Sequence, residues 1–257
     1  MLNYQKFNNI GGWFVFAVAS LVYFLTIEPT TSWWDCGEYI ATAHKIQVGH
    51  PPGAPLFVII ANFFSNLTFG NTANVAWMIN FMSALCSAFT IAFLFWIITL
   101  LSKKILQQEK KDKNMSLFSK FSILFGGLIG ALAYTFSDSF WFSAVEGEVY
   151  AMSSFFTALV FWAIIKWEAD VDTNPKSNKW LIFIAFLIGL SIGVHMLSLL
   201  VIPAIVLIYY FNPYNKEKLN DFHKKIAFSA GCLIILTTSI SALIKDVPYV
   251  RKIPFLQ

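Results

Sequence analysis

Residues 180–211 read WLIFIAFLIGLSIGVHMLSLLVIPAIVLIYYF, 32 residues without an acid, a lysine or an arginine. As one helix the stretch would extend about 48 Å at ~1.5 Å per residue, well past a hydrocarbon core of about 30 Å. It therefore predicts a tight hairpin of two short helices turning near Gly193-Val194-His195. The rest of the chain has the same solvent in mind. Of 257 residues 57% are hydrophobic and 12% charged, with 27 Phe and 9 Trp, against roughly one quarter charged in a soluble domain. Further apolar runs lie at Ile10–Ile27, Val75–Leu101, Leu117–Phe136, Val149–Trp167 and Ile226–Ile244. The first has no small-residue cleavage site after it and reads as a retained anchor rather than a signal peptide.

Pro55–Phe69 is apolar but short, is interrupted by Asn62, Ser65 and Asn66, and follows Pro51-Pro52-Gly53-Ala54-Pro55. Stretches of that length are more often interfacial or re-entrant than spanning. Cytoplasmic loops are enriched in lysine and arginine, which tests this choice and the hairpin together. With residues 55–69 interfacial, a hairpin at 180–211 and a cytoplasmic N-terminus, fourteen of the 18 cations fall inside: Lys6, six lysines from Lys103 to Lys120, three from Lys166 to Lys179 and four from Lys216 to Lys225. Only Lys45, Lys245, Arg251 and Lys252 fall outside. If residues 55–69 spanned, most cations would face outward. The expectation is an all-α polytopic membrane protein of about seven transmembrane helices, one domain over residues 1–257. Residues 28–74 form a first outer loop with interfacial helices.

That orientation gathers Asp35 and Glu38 in the first outer loop, and Asp138, Glu146 and Glu148 in a second at residues 136–148. In the first loop, Glu38, Thr42 and Lys45 share one side of a helix by i, i+4, i+7 spacing. The same residues allow a structural role: Asp35 as N-cap with Glu38 three residues on is a capping box, and Ser32 suits a cap one turn earlier. His50-Pro51-Pro52-Gly53 is stiff at the prolines and permissive at the glycine, a turn between two interfacial helices. His50 there and His195 in the hairpin turn are candidate ligand contacts. Glu146-Gly147-Glu148-Val149-Tyr150 opens a spanning helix, where acids also complement the dipole. Gly126, Gly127 and Gly130, with Ala131 and Ala133, suggest a close-packing face. Three cysteines, Cys36, Cys86 and Cys232, form no disulfide framework or metal spacing. There is no P-loop, dinucleotide fingerprint or zinc-type His-Glu-x-x-His, and no metal, cofactor or nucleic-acid partner is expected.

Trp33-Trp34-Asp35-Cys36-Gly37-Glu38-Tyr39, Gly49-His50-Pro51-Pro52-Gly53-Ala54-Pro55 and Glu146-Gly147-Glu148-Val149-Tyr150 resemble the protein O-mannosyltransferase-like transmembrane family of Bacteroidetes-type bacteria, within the GT-C superfamily of membrane glycosyltransferases. The likeness runs from about Gly12 to Pro203. It implies transfer of a sugar, mannose, from a polyprenyl-phosphate carrier to a protein Ser or Thr hydroxyl at the outer face of a bacterial inner membrane. On that pattern Asp35 is the catalytic base and Glu38 its neighbour. Lys45 and His50 would meet the departing phosphate, and Glu146, Glu148, Tyr150 and His195 would shape the sugar or acceptor pocket. Metal dependence varies within the superfamily. Members usually continue into more helices and a soluble outer domain, so the chain is expected to be an N-terminal portion. A transporter or lipid flippase is the first alternative, although spans such as Val149–Ile165 carry no ionisable residue. A non-catalytic membrane assembly subunit, with Asp35 and Glu38 as caps, is the second.

Overall fold

The computed structural model describes residues 3–109 and 115–212. Among them the fold is all-helical: α1 (Tyr4–Leu25), α2 (Cys36–Lys45), α3 (Pro55–Asn66), α4 (Val75–Glu109), α5 (Leu117–Thr135), α6 (Asp138–Ala144), α7 (Val149–Asp170), α8 (Asn178–Ile192) and α9 (Ile202–Phe211). Short 3-10 turns occupy Thr72–Asn74 and Met196–Val201. Four helices, α1, α4, α5 and α7, are long and apolar enough to cross a membrane. The expected seventh span at residues 226–244 lies outside the described residues, as do the cations from Lys216 onward.

Local signals set the helix ends. Asn3 precedes α1 and its side chain accepts the Lys6 N–H at 3.3 Å; Ser116 does the same for α5 with the Ser119 N–H at 3.1 Å. Each satisfies one of the N–H groups that a helix start leaves without a partner. Pro55 opens α3 at a position where its missing N–H costs nothing. α4 runs eight residues beyond the apolar stretch that ends at Leu101, carrying Lys103 and Lys104 on its last turns.

α4 is the central post and packs against α1, α3, α5, α6 and α7. α4 and α7 bury about twice the share of their apolar span that α1 and α5 do. The outward faces of α1 and α5 carry exposed Ile10, Trp13, Phe14, Leu21, Phe125 and Ile129, the surface expected where lipid is the solvent. One core joins Val15, Ala19, Tyr23, Ala88, Ile91 and Phe95 to Ala131 of α5. A second joins Tyr39 of α2, Phe57 and Ala61 of α3, Ile79 of α4, Val160 and Trp167 of α7 and Leu187 of α8.

The stretch at 180–211 folds as the hairpin its length requires. At the foot of α8, Trp180 Nε1 donates to Asp170 Oδ2 at the end of α7 (3.1 Å). At its top, Gly193 accepts the Leu56 N–H through its carbonyl at 2.7 Å. The chain then returns: the Ser198 hydroxyl meets that of Ser153 near the start of α7 (3.0 Å), and Tyr209 stacks on Trp167 near its end (ring centroids 5.3 Å apart). α8 thus runs against α7 and α9 along it.

The expected glycine face of α5 is correct in part. A Cβ on Gly127 would lie 2.6 Å from Thr99 Cγ2, and one on Gly130 would lie 2.7 Å from Ile98 Cδ1, both on α4. Gly126 meets nothing within 4 Å and Ala133 is exposed, because both point away from α4. Gly127→Leu should therefore destabilise the bundle by about 1–3 kcal/mol through overpacking, and Gly126→Leu should be neutral. Thermal unfolding in detergent, followed by tryptophan fluorescence, checks the pair.

Candidate functional site

The two acidic segments meet at the end of the bundle where α1 ends and α7 begins, and one buried side chain joins them. Asn80, on the first turns of α4 and fully buried, donates through Nδ2 to the Glu28 carbonyl at 2.6 Å and the Thr30 carbonyl at 2.9 Å. Its Oδ1 lies 2.8 Å from where a Cβ would sit on Gly147, so only glycine lets the second segment approach this closely. The Glu28 N–H donates to the Val145 carbonyl at 3.1 Å, and the Ser32 hydroxyl donates to Glu146 Oε2. Residues 28–32 and 145–147 are therefore tied by two hydrogen bonds and meet across Asn80.

Asp35 stands at the N-cap position of α2, but its side chain makes no capping bond. Glu38 does not close a capping box either. Its Oε1 accepts the His50 backbone N–H at 2.6 Å, and its Oε2 lies 3.1 Å from His50 Nδ1. A Cβ on Gly49 would come within 2.9 Å of Glu38 Oε1, so the absence of a side chain there lets the loop close over the carboxylate. His50 Nε2 is 3.9 Å from Asp35 Oδ2. The capping reading fails here because His50, brought in by the turn at Gly53 (φ 89°), is a stronger partner for Glu38 than a helix-end N–H. Ser32, the other candidate cap, is taken by Glu146. Just before Asp35, Trp34 adopts φ 66°, a conformation that bulky residues avoid. Its indole is 88% exposed beside an almost equally exposed Trp33, as aromatic residues at a headgroup level would be.

Glu146 and Glu148 are both buried, at 3% and 4% exposure. Burial raises the Glu146 carboxyl, with the Ser32 hydroxyl opposing it. Burial pushes Glu148 up to about 7, and the negative charges of Glu146 and Asp35 add to the effect. In the exposed half, His50 holds Glu38 below the usual carboxylate range, mainly through its backbone N–H, and Glu38 raises the His50 imidazole in return. Tyr39, packed between His50 and Phe57, is pushed up to about 12 by burial first and then by Asp35 and Glu148.

Asp35, Glu38, His50, Glu146 and Glu148 thus form one cluster. Tyr150 follows on the first turn of α7, and its ring lies 5.8 Å from that of His195. His195 caps the 3-10 turn, Nδ1 accepting the Leu197 N–H at 3.1 Å, so its ring is held by structure, tilted 54° to that of Tyr150. Lys45 is not brought in. It is exposed at the far end of α2, roughly 15 Å along the axis from Asp35. The expected polar face of α2 also loses Thr42, which is buried with its hydroxyl returned to the Glu38 carbonyl at 2.8 Å. Asp138 stays exposed on the first turn of α6, a short helix inside the expected second outer loop. Ligand atoms of Asp35, Glu38 and His50 lie within 4.8 Å of one another, a donor set able to hold a divalent cation.

Fold and site together define an integral membrane protein with a carboxylate and imidazole cluster at one end of its helical bundle. A family model described as the protein O-mannosyl-transferase TMEM260 N-terminal domain matches residues 35–218, most of the chain, and the chain belongs to that family. Relatives named protein O-mannosyl-transferase TMEM260 include one from Dictyostelium discoideum, 30% identical over 198 residues (74% of this chain, 22% of the relative). Another, from Mus musculus, is 26% identical over 231 residues (89% of this chain, 30% of the relative). The chain thus spans less than a third of the length of either relative. No solved structure matches it significantly.

The raised Glu148 gives a pH prediction. A carboxyl whose folded value lies above its ordinary 4.5 favours folding while protonated. That contribution is complete below the unfolded value and is lost as pH rises toward about 7. Glu148→Gln keeps the neutral shape at every pH, so its melting temperature should match wild type at about pH 4, below the unfolded value, and exceed it by about 2–4 °C at pH 8, as differential scanning fluorimetry would record.

Proposed function

We propose that the cluster transfers a sugar, mannose, from a polyprenyl-phosphate carrier to a protein Ser or Thr hydroxyl, with Asp35 as the base. Family membership and the relatives' names support the reaction class. The single observation that carries the assignment is the state of Asp35: an exposed carboxylate at a helix start, free of any capping bond, among Glu38, His50 and Glu148. Asp35 takes the proton of the acceptor hydroxyl as that oxygen bonds to the anomeric carbon. The bond from that carbon to the phosphate oxygen breaks, and its electron pair leaves on the phosphate. Such a single displacement inverts the anomeric centre. The His50 imidazole, raised by Glu38, and the raised carboxyl of Glu148 lessen the repulsion that four carboxyls would otherwise exert on an anionic carrier. Tyr150 and His195 border the sugar. The acid-bearing end faces away from the cytoplasm, toward the periplasm in a bacterial inner membrane, and the lysine-rich end faces in.

Asp35→Asn keeps the shape and removes the basicity. With the complete polypeptide in membranes supplied with radiolabelled polyprenyl-phosphate mannose, transfer to protein should fall by about 10²–10⁴-fold. Melting temperature should be unchanged, since no cap bond is lost. Equal transfer by both proteins would remove Asp35 from the chemistry.

The spacing of Asp35, Glu38 and His50 favours a second reading, in which the trio binds a divalent cation that meets the carrier phosphate. Chelation separates the two. Transfer that persists in excess EDTA leaves Asp35 as an unassisted base. Transfer that stops, and returns with added manganese or magnesium, assigns the trio to a cation.

A further inference from the structure

A second cavity lies at the other end of the bundle. It occupies about 420 Å³ between the starts of α1 and the ends of α4 and α7, within the size range of small-molecule sites. Along α4 its Lys103 is roughly 34 Å from Asn80, and along α7 its Lys166 is roughly 27 Å from Glu148, so it is separate from the acid cluster.

Its lining is sorted by chemistry. Phe93, Trp96 and Trp162 form an aromatic wall, their rings 5.4–6.5 Å apart. Lys103 and Lys166 stand at the rim, both half-buried. Among the described residues neither is ion-paired: the nearby Glu168 is taken by Lys104, and Lys103 instead holds its ammonium 5.7 Å from the centre of the Tyr4 ring. Asn8 also lines the cavity, with its Oδ1 turned into the protein.

We propose that this cavity binds an anionic, phosphate-headed lipid. The phosphate sits between Lys103 and Lys166, two ammonium groups without an anionic partner among the described residues. The first carbons of the chain lie along Trp96 and Trp162. Two lipids share this chemistry, a bilayer phospholipid such as phosphatidylglycerol and a polyprenyl phosphate.

The test uses the complete polypeptide in nanodiscs, released for native mass spectrometry after exposure to phosphatidylglycerol, polyprenyl phosphate, phosphatidylcholine or inorganic phosphate. Retention of phosphatidylglycerol, of polyprenyl phosphate, or of both, in preference to phosphatidylcholine is the expected result, and which of them is retained identifies the source. In Lys103→Gln/Lys166→Gln the retained anionic lipid should fall about tenfold or more, the loss that follows from removing charge-assisted contacts. Lys104→Gln, on the same turn but outside the cavity, should retain it. Bromine-labelled chains should also quench wild-type tryptophan fluorescence, and less so in Trp96→Phe/Trp162→Phe, a readout that does not depend on the lysine variant folding. Equal retention of phosphatidylcholine, retention of inorganic phosphate alone, or an undiminished signal in the lysine variant with its thermal unfolding intact would overturn the proposal.

Discussion

The amide of Asn80 is the contact on which the acidic end of this molecule depends. Buried on the central helix, it holds two carbonyls of one loop and sets the closest approach of the other. Neither loop has a hydrophobic core of its own to define its path. Their backbone polar groups must be satisfied near a low-dielectric region where an unmet carbonyl is costly, and a single amide meets two of them. The acids then follow. Ser32 reaches Glu146, Asp35 starts its helix beside Glu148, and the His50 turn closes on Glu38. Four carboxyls can be assembled here because two are buried, where desolvation raises both and carries Glu148 to about 7, and the other two share an imidazole.

Charge is distributed along the bundle with the same economy. The spans themselves are nearly free of ionisable groups, so every titratable decision is taken at one end or the other. One end concentrates acids around a histidine. The other carries lysines on α4 and α7, of which only Lys104 is neutralised by a described acid. A molecule polarised in this way presents a cation-seeking surface on one side of a membrane and an anion-seeking surface on the other.

Much of this was legible in the sequence, for reasons that can be named. The hairpin at residues 180–211 followed from length, because a stretch too long to cross once and free of charge has to turn, and Gly193-Val194-His195 marks where. The shortness of α3 followed from its polar interruptions. Asp35, Glu38, His50, Glu146 and Glu148 stood out because acids and histidines are scarce in so apolar a chain. What was not legible depended on contacts between distant residues. Nothing local says that Glu38 will choose His50, twelve positions on, over its own helix start, or that Thr42 will turn its hydroxyl back to the backbone. Asn80 was hidden because an asparagine at the head of an apolar helix looks like any polar boundary residue. The only available signal was its distance from the charged segments it serves. Lys45 was misplaced for a simpler reason: a shared helix side is not a shared location when ten residues separate the two ends.

The bond from the Leu56 N–H to the Gly193 carbonyl fastens the first turn of α3 to the apex of the α8–α9 hairpin, and a Cβ on Gly193 would already crowd Leu56 at 3.0 Å. α3 carries the segment that begins with His50, so the floor beneath the acids and the hairpin are buttoned together. Displacing the apex of the hairpin therefore breaks that hydrogen bond and pulls on the start of the helix that follows His50.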